Sequence, residues 1–390
     1  MSNRDLQGTV ESQAAVDHRF MGEALALACG VPDRTWPNPP VGALVVRDGV
    51  VVGRGAHEGA GQPHAEPVAL QEAGEKARGA TLYVTLEPCN HQGRTAPCAP
   101  AVAASGITRV VVAIRDPNPR VSGGGCRFLR DRGLEVAGDV RSAEALELIW
   151  PFVATNNFAH LYVELKTATS LDGCFAPPQA MRQAIEPVYL TGASARHDVH
   201  RRRRRVDLVL VGEGTVRADH PRLDGRLAAA DSDVPRQEPL AGYVDSDLSW
   251  TGGFGRDSYL VFAGESTRDT AGRAAVEKDG GQIVFCPERG GRIAPADVLV
   301  AAAERRVLTM MLEGGPRLAA SFLAAGVVDR WLQYLAPAVL GHGVRWPGEF
   351  GGGELPHRQF SPTRSESHGD DLLVIHDRMR FSDVLAEVMT

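Results

Sequence analysis

His64-Ala65-Glu66-Pro67-Val68-Ala69-Leu70, then Leu86-Glu87-Pro88-Cys89 and, further on, Cys98, form the stretch whose reading decides this chain. An imidazole and two thiolates fill three corners of a zinc tetrahedron and leave the fourth to water, whose pKa on the metal falls towards about 7. Glu66 is a carboxylate outside that set. At a helix start two residues after the histidine, it faces the same cavity and can carry the water's proton to a ring nitrogen and then to a leaving amine. The pattern predicts hydrolytic deamination, with His64, Cys89 and Cys98 on Zn2+ and Glu66 catalytic. A closed structural zinc site would need a fourth protein ligand, and His91, two residues past Cys89, is poorly placed to supply it. The interval from Asn90 to Pro97 is longer than the two residues usual between zinc-deaminase cysteines. Its glycine, His91 and Arg94 suit a lid over a phosphorylated substrate.

Outward from this stretch, helices alternate with strands, which predicts a three-layer α/β domain over residues 18–155. Residues 1–17 are expected to be a disordered tail, followed by an amphipathic helix from Phe20 to Cys29. Val41 to Val46 and Val50 to Gly55 flank Asp48-Gly49, a hairpin signal. A strand at Thr81 to Thr85 delivers Cys89 to a helix start, a helix continues beyond Cys98, and Arg109 to Ile114 is a buried strand. A boundary falls between Trp150 and His160, and a second domain is expected over residues 160–390. Within it, the buried strand Val307 to Leu312, the turn Glu313-Gly314-Gly315-Pro316 and a helix from Arg317 to Ala325 offer free backbone N–H groups to a pyrophosphate. A tight βα connection would read the same way, so this unit alone leaves both readings open. Residues 228–240 and Gly351 to Gly353 read as loops. Arg201 to Arg205 is a run of five arginines before the strand Val206 to Val211, and its plain reading is a solvated helix end.

The chain has 390 residues, enough for two domains with separate cores. Its 43% hydrophobic and 23% charged residues suit an ordinary soluble protein, and its net charge of −6 argues against a nucleic-acid partner. Six cysteines in a chain this long do not make a disulfide framework. No apolar stretch has the length of a membrane span and residues 1–17 lack a signal-type core, so no membrane partner and a cytoplasmic location are expected.

The run from His64 to Leu70, Tyr83 to Cys98 with its His91-Gln92-Gly93-Arg94 segment, Asp116-Pro117-Asn118-Pro119-Arg120 and Pro37-Asn38-Pro39 resembles the bifunctional deaminase/reductase family of riboflavin biosynthesis. Ser170-Leu171-Asp172-Gly173, Gly214 to Asp219, Glu313 to Pro316 and Ala336 to Gly341 extend the resemblance over nearly the whole chain. It implies a cytidine-deaminase-like domain followed by a dihydrofolate-reductase-like α/β domain. It implies deamination of 2,5-diamino-6-(5-phosphoribosylamino)pyrimidin-4-one, then NADPH-dependent reduction of the ribosyl side chain to ribityl. Carried over residue by residue, Asn38, His57, His91 and Arg94 meet the substrate of the first step. Ala168, Tyr189, Thr215, Asp219, Ser246, Gly315 and Pro316 meet NADPH. Arg203, Leu223, Arg226 and Glu313 meet the substrate of the second step, the other four arginines of the run lying at the surface. A homo-oligomer is expected. The chain departs from the family pattern at Pro40, Pro67-Val68, Pro187 and Tyr189, and its connection beyond Gly173 is longer. Two competing readings are therefore a deaminase-only paralogue with a degenerate reductase half and a non-enzymatic scaffold, although no zinc ligand or Glu66 is lost.

Overall fold

The structure is a computed structural model that describes residues 11–31, 35, 38–93, 95–118, 124–157, 161–178, 189–226, 238–348 and 360–378. The chain divides into two compact units between Asn157 and Phe158. In the first unit, α1 (Gln13–Gly30), β1 (Gly42–Arg47), β2 (Val50–Ala56), α2 (Ala65–Ala73), β3 (Thr81–Val84), α3 (Cys98–Ala104), β4 (Arg109–Val112), α4 (Gly124–Arg130), β5 (Glu135–Ala137) and α5 (Ser142–Asn157) follow in order. The five strands form one sheet in the order β2-β1-β3-β4-β5, with β3, β4 and β5 parallel and β1 antiparallel to both neighbours. Asp48 and Gly49 turn the β1–β2 hairpin with φ of 50° and 74°, the left-handed pair a two-residue turn needs.

The helices cover both faces of this sheet. α1, with α5 beside it, takes one face, and α2, with α3 and α4 beyond it, takes the other. Gly55 on β2 sets the depth of α2: a Cβ there would lie 2.1 Å from the Ala65 carbonyl oxygen. The helix that carries the site therefore rests backbone-to-backbone on the sheet.

In place of a tail reaching residue 17, α1 begins at Gln13, with the Ser12 hydroxyl accepting from Ala15 N as its N-cap. Asp17 holds this first turn down. Its buried carboxylate accepts from both terminal guanidinium nitrogens of Arg109 on β4 at 2.8 Å, from the Tyr83 hydroxyl on β3 at 2.8 Å and from Gln13 at 3.0 Å. A polar opening segment with no periodic apolar face hides such an anchor from a hydrophobicity reading.

The second unit contains β6 (Tyr162–Ser170), α6 (Ala193–Arg203), β7 (Leu208–Gly212), α7 (Glu213–Asp219), β8 (Leu240–Val244), β9 (Tyr259–Gly264), α8 (Ala271–Lys278), β10 (Gly281–Cys286), β11 (Glu288–Arg289), β12 (Arg292–Ile293), α9 (Pro295–Ala303), β13 (Thr309–Glu313), α10 (Pro316–Ala324), β14 (Arg330–Ala336), β15 (Phe360–His368) and β16 (Asp371–Arg378). Nine strands form one sheet in the order β10-β9-β8-β7-β13-β6-β14-β16-β15, parallel from β10 to β14 and antiparallel beyond. β7 shows why a central parallel strand is apolar throughout: Val209 and Val211 enter the core under α6, α7 and α8, while Leu208 and Leu210 enter the core under α9 and α10. The carboxyl ends of β6, β13, β7 and β8 reach the same edge, where open parallel sheets bind ligands. The loop predictions for residues 228–237 and Gly351 to Gly353 lie outside the described residues.

The arginine run is not a solvated helix end. Arg204 is buried and Arg202 half-buried where α6 finishes against the sheet, because consecutive residues point around a helix and part of the run must face inward. Arg202 is compensated by Asp198 at 2.8 Å and Glu164 at 4.0 Å. Arg201 and Arg205 are exposed.

Candidate active sites

His64 is the N-cap of α2, Glu66 sits in its first turn and Cys98 opens α3, so two helix N-termini bring the first site together. His64 Nδ1 lies 3.6 Å from Cys89 Sγ and 3.2 Å from Cys98 Sγ, and the three ligand atoms lie within 4.8 Å of one another. Ligands at zinc bond lengths around one tetrahedral centre stand roughly 3.3–3.8 Å apart, so the donor set and its spacing fit this ion. Cys89 is held from below: the Pro88 carbonyl packs on Gly125 of α4, where a Cβ would come within 1.8 Å of that oxygen. The Glu87 carboxylate accepts from Cys126 N at 2.8 Å and Asp116 N at 3.2 Å, fixing the same loop.

The electrostatics suit a cation between two sulfurs. The Cys89 thiol is lowered to about 4, chiefly because the Cys98 thiol donates to it, with His64 adding to the effect; Cys98, as donor, is pushed up. Two sulfurs sharing one proton is the arrangement that a divalent cation replaces, releasing that proton. Burial raises the Glu66 carboxyl to about 7, against the opposing pull of its own backbone N–H and of His64. Only 3% exposed, it has its carboxyl against the Cys98 thiol. It is therefore near enough to the ligands to exchange protons with a group bound among them.

Around this centre, Thr95 Oγ1 lies 3.2 Å from His64 Nε2, the partner that orients a ligating imidazole. His57 is buried, with Nδ1 3.0 Å from the Pro63 carbonyl and Nε2 3.0 Å from Asn38 Nδ2. The carbonyl can only accept, so Nδ1 carries the proton and Nε2 accepts from the Asn38 amide. Burial lowers the His57 pKa, which keeps that neutral tautomer. His91 is exposed on the loop between the cysteines, and Arg94 lies outside the described residues. Asp116, quoted above for its motif but given no role, lies within the electrostatic reach of Cys89 and His91, with burial raising it to about 6.

The second site is a cavity of about 2260 Å³ at the carboxyl edge of the nine-stranded sheet. Ala168, Tyr189, Thr215, Asp219, Ser246, Gly315, Pro316, Arg203, Leu223, Arg226 and Glu313 all line it. Gly315 is the N-cap of α10 and Pro316 its first residue, leaving the N–H groups of Arg317 and Leu318 without intrahelical partners. A Cβ on Gly315 would meet only Thr215 Oγ1, at 3.9 Å, so internal packing does not demand a glycine there. Its bareness and the free N–H groups fit a pyrophosphate seated against the turn. The Glu313 carboxylate accepts from Arg203 Nε at 2.6 Å and Nη2 at 2.9 Å. Burial alone would raise this carboxyl, but Arg203 and then Lys166 outweigh it and hold it at about 2.

Lys166 was not singled out in the sequence. It faces Glu313 directly in the β6–β13 register and lines the cavity. A lysine inside the apolar run of β6 is a signal that could have found it, since a buried ammonium needs a partner. Ser170-Leu171-Asp172-Gly173, by contrast, is a tie: Asp172 accepts from Ser170 Oγ at 2.6 Å, Leu340 N at 3.0 Å and Gly341 N at 2.9 Å. Tyr189 is 58% exposed, with Arg196 over its ring at 4.6 Å, and Pro187 lies outside the described residues.

Fold and sites define a two-unit enzyme, a zinc deaminase joined to a reductase. Residues 14–114 match the family described as the cytidine and deoxycytidylate deaminase zinc-binding region, and residues 161–374 match the RibD C-terminal domain. The riboflavin biosynthesis protein RibD of Aquifex aeolicus is 36% identical over 93% of this chain and 99% of its own length. That of Escherichia coli is 35% identical over 84% and 90%. In structure, Acinetobacter baumannii RibD matches 94% of this chain and 100% of its own with a TM-score of 0.75 and 30% identity. A Thermotoga maritima diaminohydroxyphosphoribosylaminopyrimidine deaminase/5-amino-6-(5-phosphoribosylamino)uracil reductase matches the same shares with a TM-score of 0.73 and 29% identity. The chain belongs to the RibD family, bifunctional deaminase/reductases of riboflavin biosynthesis that use zinc and NADPH.

Proposed function

We propose that the first unit deaminates 2,5-diamino-6-(5-phosphoribosylamino)pyrimidin-4-one and that the second reduces the ribosyl group of the resulting uracil to ribityl. One observation carries the first half: three ligand atoms within 4.8 Å of one another beside a buried glutamate at a helix start. His64, Cys89 and Cys98 hold zinc, which when bound lowers the pKa of water enough to make it a nucleophile at neutral pH. Glu66 takes one proton from the attacking water and passes it to the pyrimidine ring nitrogen, then takes the remaining hydroxyl proton of the hydrated ring and passes it to the amine, which leaves as ammonia as the carbonyl forms. His57, fixed as the neutral tautomer, orients the Asn38 amide towards the ring, and His91 and Arg94 take the substrate phosphate.

In the second unit, Gly315, Pro316 and Thr215 seat the NADPH pyrophosphate, and Ala168, Tyr189, Asp219 and Ser246 line the rest of its path. Arg203, Leu223, Arg226 and Glu313 hold the uracil substrate. Lys166 stands beside the ionised Glu313, which positions its ammonium to protonate the sugar oxygen as hydride arrives. Domain limits near residues 155 and 160, a homo-oligomer and a cytoplasmic location complete this reading. Support for the location is that no helix among the described residues is long and apolar enough to cross a membrane. The net charge of −6 supports a small-molecule substrate over nucleic acid. The test is zinc content and ammonia release in Cys89→Ser and Glu66→Gln: loss of metal in the first, and retained metal with lost ammonia release in the second.

A further inference from the structure

The carboxyl-edge cavity holds more cationic groups than the substrate accounts for, and they differ in whether an anion already satisfies them. Arg203 is locked to Glu313, and Arg222 and Arg226 both pair with Asp224, at 3.1 and 2.5 Å. Arg292 and Arg317 also line the cavity, and neither has a carboxylate partner among the described residues. Their positions separate their roles. Arg317 stands in the first turn of α10, beside the pyrophosphate seat. Arg292 stands on β12, at the opposite end of the cavity from Lys166 and Glu313.

Two features fix that end. The β11–β12 hairpin turns through Gly290 and Gly291, with φ of 61° and 71°, and is fastened to the end of β8 because Ile293 N donates to Ser246 Oγ at 3.3 Å. Sheet order places β8 three strands from β6, which carries Lys166. At about 4.8 Å per strand, that is roughly 14 Å. An extended dinucleotide with its pyrophosphate over β13 and its nicotinamide near Lys166 therefore brings its adenosine ribose towards Ser246 and Arg292.

The remaining lining of that end is acidic. Asp245 and Asp247 flank Ser246 and both line the cavity; the Asp245 carboxylate accepts from Trp250 N at 2.8 Å. By themselves two carboxylates suit a ribose 2′-hydroxyl, the recognition that favours NADH, whereas a nearby arginine accommodates a 2′-phosphate. We propose that Arg292 binds the 2′-phosphate of NADPH and is the residue that makes this chain prefer NADPH to NADH. The assignment rests on the reductase reading of the second unit. Arg317 serves the pyrophosphate, which both cofactors share, and so contributes nothing to the choice.

The test is equilibrium binding of NADPH, NADH and adenosine 2′,5′-bisphosphate to the full-length protein by calorimetry, without pyrimidine substrate. Loss of a charge-assisted phosphate contact should weaken NADPH and the bisphosphate roughly 10- to 100-fold in Arg292→Ala, with NADH unchanged. Arg292→Lys, which keeps the charge but not the fork, should lose less. Arg317→Ala should weaken NADPH and NADH by the same factor. Equal losses for both cofactors in Arg292→Ala, or no loss for NADPH, would overturn the proposal. Wild-type protein that bound neither cofactor would instead count against the reductase reading itself.

Discussion

Glu66 and Thr95 show what single side chains contribute once the ligands are in place. In the proposed mechanism Glu66 handles protons and not the ion, so Glu66→Gln should keep one zinc per chain while ammonia release falls by at least roughly 100-fold. Metal analysis beside an ammonia assay checks both numbers. Thr95 is placed to act through His64: its hydroxyl lies 3.2 Å from Nε2, where it would set the orientation of the ring proposed to hold zinc. Thr95→Val should lower zinc affinity roughly 10- to 100-fold, measured by competition with a chelator, and unchanged affinity would show that the contact does not orient the ring. His64, Cys89, Cys98 and Glu66 were legible in the sequence because metal chemistry restricts both residue type and order. Lys166 was not, since its meaning comes from Glu313, its neighbour across two strands far apart in the chain.

At the scale of elements, the deaminase site depends on how closely α2 and the Cys89 loop approach their supports. Gly55→Val would drive a branched side chain into the Ala65 carbonyl, and the helix carrying His64 and Glu66 would have to lift. We expect a loss of at least about 2 kcal/mol of stability with weakened zinc binding, read by denaturant unfolding with and without added zinc. The first turn of α1 is tied by ion pairing instead, and Asp17→Ala should cost on the order of 3 kcal/mol by leaving Arg109 short of its main partner. In the second unit, the α6–β13 clamp predicts a pH dependence. Glu313 is held at about 2 when folded, below its ordinary 4.5, so its stabilising contribution is present above about 4.5 and is lost as pH falls through about 2. Unfolding free energy should fall across that window, and Glu313→Gln should flatten the fall; an unchanged slope would mean that Arg203 gains nothing from the charge. Strands and helices with strong apolar periodicity were readable from sequence to within a few residues. The start of α1 and the inward turn of Arg202 were not, because each rests on polar partners distant in sequence, Arg109 and Tyr83 for one and Glu164 for the other.

For the whole molecule, two chemistries reside in two units, each with its own core and its own site. Stripping zinc with a chelator should abolish ammonia release while leaving reduction of supplied 5-amino-6-(5-phosphoribosylamino)uracil by NADPH intact. That separation distinguishes the bifunctional account from a deaminase with a degenerate second half. The departures at Pro187 and Tyr189 leave the Gly315 turn and the Glu313–Arg203 clamp in place, so the parts proposed to seat cofactor and substrate remain. The most direct measurement follows NADPH absorbance and ammonia together when full-length protein receives the diaminopyrimidine substrate, in wild type and in Glu66→Gln. The account predicts ammonia release followed by NADPH oxidation in wild type. In Glu66→Gln it predicts neither from this substrate, but normal NADPH oxidation when the deaminated uracil is supplied. Wild-type protein that released ammonia yet never oxidised NADPH, even with the uracil supplied, would contradict it.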